Sequence, residues 1–157
     1  MLSFGALTDL INNTKALSRD GALFFVFSQP DTQDEIIRLN TDEQLFERGI
    51  DSEGQSLGTY SASTIIRKSA EGIAHPSPYA WVTLFNDGDF YESFQIFVDK
   101  DSFTIVADSQ KPNQDLAETY GEDIVGLTEL SKEDLNSYLI DYMIEYLTKM
   151  LLNEKLL

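Results

Sequence analysis

Residues 93–107 read "SFQIFVDKDSFTIVA", and the way this stretch folds decides the class of the chain. Phe94, Ile96 and Val98 alternate with Gln95, Phe97 and Asp99, and Phe103, Ile105 and Ala107 alternate with Thr104 and Val106. A period of two sends successive side chains to opposite faces of a strand, so each run carries one apolar face. The polar Asp99-Lys100-Asp101-Ser102 between them supplies a turn. The spacing therefore predicts an antiparallel hairpin over about 93–107. Trp81-Val82-Thr83-Leu84 offers a third strand, which extends the β region to 81–108.

Working outward, the period changes from two to nearly four. From Ser131, which can cap a helix with Asp134 three residues on, apolar side chains recur at Leu135, Tyr138, Leu139, Tyr142, Met143, Tyr146, Leu147, Met150 and Leu151. That is one face of a helix sustained over several turns, predicted to span 131–153. Tyr138, Tyr142 and Tyr146 run along one edge of the stripe, while Ile140 and Ile144 lie apart from it where polar residues normally stand. The helix is wider in apolar surface than one core contact needs, and the tyrosine edge is the expected interface with a neighbouring subunit.

On the N-terminal side, Phe4, Leu7, Leu10, Ile11 and Leu17 predict a first helix over 3–17 with Ser3 as N-cap. Residues 22–27, "ALFFVF", belong to the core as either strand or helix. Thr32-Gln33-Asp34-Glu35 reads as a capping box opening a helix over 32–48, with Ile36, Leu39 and either Leu45 or Phe46 facing inward and Gly49 as its stop. Residues 49–80 are rich in Gly, Ser and Pro and read as mostly loop, with Ile65 and Ile66 anchoring a short turn of helix begun at Ser61 or Ser63. The expected fold class is α+β: a single domain over 1–157, helical over 1–48, loop-rich over 49–80, with a small antiparallel sheet packed against N-terminal helices and a long C-terminal helix.

Composition narrows the function. The chain has 157 residues, enough for one core, and its 11% aromatic content separates it from disordered chains. Eleven basic residues against 27 acidic ones give a net charge of −16, which repels a phosphate backbone and argues against sequence-specific nucleic-acid binding. With no cysteine and one histidine, cysteine chemistry is excluded and a zinc site has too few ligands. No stretch approaches the roughly 20 uncharged apolar residues of a membrane span, and the N-terminus lacks a basic region followed by an apolar one and a cleavage site. A soluble chain without a secretion signal, membrane contact or cofactor is expected.

Three motifs that suggest chemistry fail on inspection. Gly54-Gln55-Ser56-Leu57-Gly58 matches the G-x-S-x-G pattern of serine hydrolases, but the preceding Glu47–Glu53 stretch is charged and glycine-broken where a buried strand should deliver the serine. The single His75 sits in the loop-like His75-Pro76-Ser77-Pro78, and the motif reads as a turn. Asn86-Asp87-Gly88-Asp89 resembles the start of a calcium loop, yet the twelfth position from Asp87 is Val98 rather than a glutamate. Arg67-Lys68 is an adjacent basic pair too small to make a nucleic-acid patch. No catalytic residues are assigned, and the chain is not read as an enzyme.

Gly54-x-x-Leu57-Gly58-x-Tyr60-Ser61-x-x-Thr64, followed by Leu84-x-x-Asp87-Gly88-x-x-x-x-Ser93, resembles the motif pattern of tailed-bacteriophage virion morphogenesis or tail-completion proteins. In that family a Gly and an aromatic precede a Leu/Tyr-Ser-x-x-Thr segment, and a Leu-x-x-Thr-Gly segment then leads into a strand. Leu57 stands here in place of the usual aromatic, and Asp87 where Thr is commoner. Leu116-Ala117 and Tyr120-Gly121 are similar to a later family segment, so the resemblance spans about residues 33–125. It implies a structural virion protein that joins a ring at the head–tail junction beside neck, portal or tail proteins, with Gly54, Gly58 and Gly88 serving turns and Ser61 or Thr64 capping a helix. An acidic wall suits a channel through which DNA slides without adhering. A second expectation is an acidic binding module that mimics DNA or inhibits a basic partner.

Overall fold

Ser18 opens the first described element by accepting a hydrogen bond from the Gly21 amide at 3.0 Å, which satisfies one of the amides that a helix start leaves unpaired. The computed structural model describes residues 18–73, 81–112 and 114–152. Helix α1 (Arg19–Phe27) follows, so the apolar run 22–27 is a helix. Ala22, Val26 and Phe27 turn inward and Phe24 is exposed. The helix expected over 3–17 lies outside the described residues.

Pro30 restarts the chain as α2 (Pro30–Arg38), at a position where its missing amide costs nothing. The capping box read at 32–35 is thereby corrected. Thr32 sits within the first turn, fully buried, and its hydroxyl has no hydrogen-bond partner among the described residues. Beyond Arg38 the helix widens into a π segment, Leu39–Arg48, in which backbone bonds skip five residues instead of four. Leu39, Asn40, Thr41, Gln44 and Leu45 are its buried residues. Gly49 stops it in the left-handed conformation, φ 61°, as the sequence predicts.

The buried polar residues of the π segment have a task. Asn40 Nδ2 donates to the Ile124 carbonyl at 3.2 Å, and its Oδ1 accepts from the Gly126 amide at 2.8 Å. Gln44 repeats the arrangement, donating to the Gly126 carbonyl at 2.9 Å and accepting from the Thr128 amide at 2.8 Å. Two side-chain amides thus pair with the backbone as a neighbouring strand would, satisfying four backbone groups of the largely buried 124–128 segment.

The hairpin forms as its alternation predicts. Strands β1 (Gln95–Val98) and β2 (Phe103–Val106) pair antiparallel, with Ile96 opposite Ile105 and Val98 opposite Phe103. These four side chains face the core, while Phe97 and Val106 are exposed on the outer face. The third strand at 81–84 is corrected: Trp81 pairs with Thr59 through a single bridge, and Leu84 has φ 57°, which breaks an extended run. A smaller pair, β3 (Gln110–Lys111) and β4 (Gln114–Asp115), lies further on.

The remaining helices are α3 (Ala62–Glu71), the single turn α4 (Asp89–Glu92), α5 (Leu116–Tyr120) and α6 (Glu129–Leu152). Helix α3 is longer than the turn expected in the 49–80 region. The N-cap of α6 is Thr128 rather than Ser131: its Oγ1 accepts from the Ser131 amide at 3.1 Å, and Ser131 itself is fully buried.

Two apolar clusters hold these pieces together. Val26, Phe27, Ile36, Leu39, Leu127, Leu135 and Leu139 join α1, α2 and α6 under the inner face of the hairpin. Leu45, Val82, Leu84, Phe90, Phe94, Leu116 and Ile124 form the second. Ile105 packs against both, and each fully buried side chain of this size contributes about 1.5–3 kcal/mol. The architecture is α+β, a two-stranded hairpin laid against helices with a long C-terminal helix across them. No helix among the described residues is long and apolar enough to cross a membrane.

Candidate functional site

Helix α3 presents Thr64 and Lys68 one turn apart, and Arg67 and Glu71 one turn apart beside them. Ser61 caps it, accepting from the Thr64 amide at 3.2 Å, and Tyr60 precedes the cap. Facing α3 is the 82–87 segment, tied to Tyr60 by two contacts: the Thr83 amide donates to the Tyr60 hydroxyl at 3.1 Å, and the Thr83 hydroxyl lies 3.1 Å from the same oxygen. Tyr91 donates its hydroxyl to the Thr83 carbonyl. Burial pushes the Tyr91 phenol well above its ordinary value, with Tyr60 and Asp42 adding to the effect. The third wall comes from the β3–β4 turn and α5, which contribute Lys111, Leu116 and Tyr120. Together these walls enclose a cleft of about 590 Å³.

The local chemistry of this cleft is fixed by short-range bonds. Asp115 caps α5 by accepting from the Ala117 amide at 2.9 Å and the Glu118 amide at 3.3 Å. The Ser109 hydroxyl, at 2.8 Å, is the main cause holding its carboxyl below the usual range. Lys111 pairs with Asp89 at 2.8 Å and depresses that carboxyl. Arg67 pairs with Glu71 and donates to Asn86 Oδ1 at 3.2 Å. Lys68 is only 2% exposed; its ammonium donates to the Phe85 carbonyl and lies 4.9 Å from the centre of the Tyr60 ring. Burial raises the Tyr120 phenol, and Tyr60 adds to the shift.

The motif residues singled out from sequence divide into two groups. Tyr60, Thr64, Leu84, Asp87, Leu116 and Tyr120 line this one cleft. Gly54, Gly58, Ser61, Gly88, Ser93 and Gly121 instead shape the backbone around it. Gly88 opens α4 at φ 97°, and the Ser93 hydroxyl donates to the Phe90 carbonyl at 2.6 Å while accepting from the Asp108 amide at 2.9 Å, which pins the open end of the hairpin. Arg67 and Lys68, which the sequence shows only as a small basic pair, also line the cleft, as does Lys111, which no sequence motif marks.

Ser56 is exposed in a loop and its Oγ accepts from the Gly58 amide at 3.1 Å, so the hydrolase-like motif is a turn; His75 lies outside the described residues. Asp87 and Asp89 belong to the turn that starts α4, and among the described residues no three His, Cys, Asp or Glu side chains gather as metal ligands.

The second surface of interest is α6. The tyrosine edge runs beside α1 and α2, with Tyr138 and Tyr142 half-buried. Tyr138 donates to the Asp31 carbonyl at 3.4 Å and Tyr142 to Asp31 Oδ2 at 3.1 Å. The Tyr142 phenol is raised chiefly by its contact with Tyr138. Tyr146 is 5% exposed, its ring 5.4 Å from that of Phe25, and is therefore core. The exposed large apolar residues of α6 are Leu130 at its start, Ile140, Ile144 and Leu147 in one stripe, and Leu152 at its end.

Comparison of the chain with protein-family models, curated proteins and solved structures returns no match.

Proposed function

We propose that this chain is a structural assembly subunit of a tailed-phage virion, joining a ring at the head–tail junction beside neck, portal or tail proteins. The observation that carries the assembly role is the exposed stripe on α6. Ile140 and Ile144 are 57% and 56% exposed on a long helix whose opposite side is already committed to the core, and an apolar ladder of this kind marks a contact surface rather than a solvated one. The net charge of −16 suits a wall along which DNA passes without adhering. The location in a phage particle rests on the motif resemblance, six residues of which line one cleft.

Ring contacts that repeat head to tail require two different surfaces. The outer face of the hairpin, where Phe97 is 58% exposed beside Val106, supplies the second. The double substitution Ile140→Asp/Ile144→Asp is expected to reduce the mass measured by light scattering to that of one chain, with an unchanged circular-dichroism spectrum. An assembled mass identical to the unsubstituted chain would remove the stripe from the interface.

An acidic module covering a basic partner is the second reading. Glu118, Glu122 and Asp123 favour it, because they are exposed on consecutive short turns and form no salt bridge among the described residues.

A further inference from the structure

We propose that the cleft between α3, the 82–87 segment and the β3–β4 turn is a binding site for a monocarboxylate with an apolar body. Its volume, about 590 Å³, lies in the range of small-molecule sites, and such sites combine apolar walls with a few placed polar groups. Val82, Leu84, Phe85, Leu116 and the rings of Tyr60 and Tyr120 provide the apolar walls.

Charge identifies the head group. Three of the chain's 11 basic residues, Arg67, Lys68 and Lys111, line this cleft in a strongly acidic protein. Arg67 and Lys111 already have carboxylate partners in Glu71 and Asp89. Lys68 has none among the described residues. An ammonium carries three donors, and at 2% exposure this one has a single carbonyl and one aromatic face to satisfy it. Burying a cation without a counter-charge is costly, and a carboxylate entering the cleft supplies both the charge and the missing acceptors.

The backbone around Lys68 is held in an unusual state to make this arrangement. Leu84 is the one non-glycine residue with positive φ among the described residues, at 57°. Its side chain enters the second core cluster while the next carbonyl, that of Phe85, meets Lys68. Strain of this kind concentrates at ligand-holding segments. A dianion is disfavoured because Asp87 and Asp89 also line the cleft and Glu71 already neutralises Arg67. A single negative charge matches the single cation that lacks a carboxylate.

The test is a titration of the full-length, ¹⁵N-labelled chain with 3-phenylpropionate at constant ionic strength, with 3-phenylpropan-1-ol and inorganic phosphate as parallel arms. The expected result is saturable shifts of amides in 60–68 and 82–89 with the acid. Binding of the alcohol should be roughly tenfold or more weaker, the effect of losing a charge-assisted hydrogen bond, and Lys68→Met should abolish saturation by the acid. A short acetylated peptide ending in a free phenylalanine carboxylate separates two sources: tighter binding than the acid assigns the site to a protein C-terminus, and weaker binding assigns it to a free metabolite. Equal binding of acid and alcohol, a comparison that needs no variant, would overturn the proposal, as would unchanged binding in Lys68→Met or saturation by phosphate alone.

Discussion

Replacing Gln44 by alanine is expected to cost about 3–5 kcal/mol, read as a lower urea midpoint at unchanged slope. Its carboxamide makes two bonds to the buried 126–128 backbone, at 2.9 and 2.8 Å. Truncation leaves the Gly126 carbonyl and the Thr128 amide without partners, and it opens a cavity beside Leu45. Since Thr128 is also the N-cap of α6, the loss reaches the start of the longest helix. Asn40→Ala should cost a comparable amount. Both side chains hold the same segment through Gly126, so the double variant should lose less than the sum of the two single losses. A Gln44→Ala cost below about 1 kcal/mol would show that water replaces the clasp.

Gly49→Ala is the second large effect, expected at about 2–5 kcal/mol. The residue ends the π segment at φ 61°, where a side chain costs about 1–2 kcal/mol. A Cβ there would also stand 2.5 Å from Trp81 Cδ1, and relieving such overpacking costs about 1–3 kcal/mol. Gly54→Ala is the control: its φ is 75°, yet nothing lies within 4 Å of its Cβ position. The difference in melting temperature between the two variants therefore isolates the clash with Trp81. Equal shifts would mean that the indole moves aside freely.

Much of the architecture is legible where periodicity is local. Alternation in 94–107 names the inward residues of both strands, the 3.6-residue recurrence after Leu135 names α6, and Gly49 and Ser61 mark helix ends through their own backbone and hydroxyl chemistry. The π segment is not legible, because widening a helix by one residue per bond barely alters the spacing of its apolar side chains. Nothing local to Asn40 and Gln44 marks them as buried; only the 124–128 backbone, more than 80 positions away, reveals that they are buried partners.

The site follows the same logic. Tyr60 and Thr64 stand out through their glycine- and serine-marked surroundings, whereas Lys68 and Lys111 converge only through the tertiary path that brings the β3–β4 turn to α3. Along α6 the sequence shows more apolar surface than one contact needs, but not which edge is surplus. The hydroxyls of Tyr138 and Tyr142 find Asp31 and Tyr146 is buried, whereas the isoleucines stand outside.

The most direct measurement is the mass of the purified chain by light scattering over a wide concentration range, with negative-stain imaging of the largest species. Closed rings that disappear in the Ile140→Asp/Ile144→Asp variant are the expected result. A monomer at every concentration, indistinguishable from that variant, would contradict an assembly role for the α6 stripe and shift the function to an acidic module that acts on a basic partner.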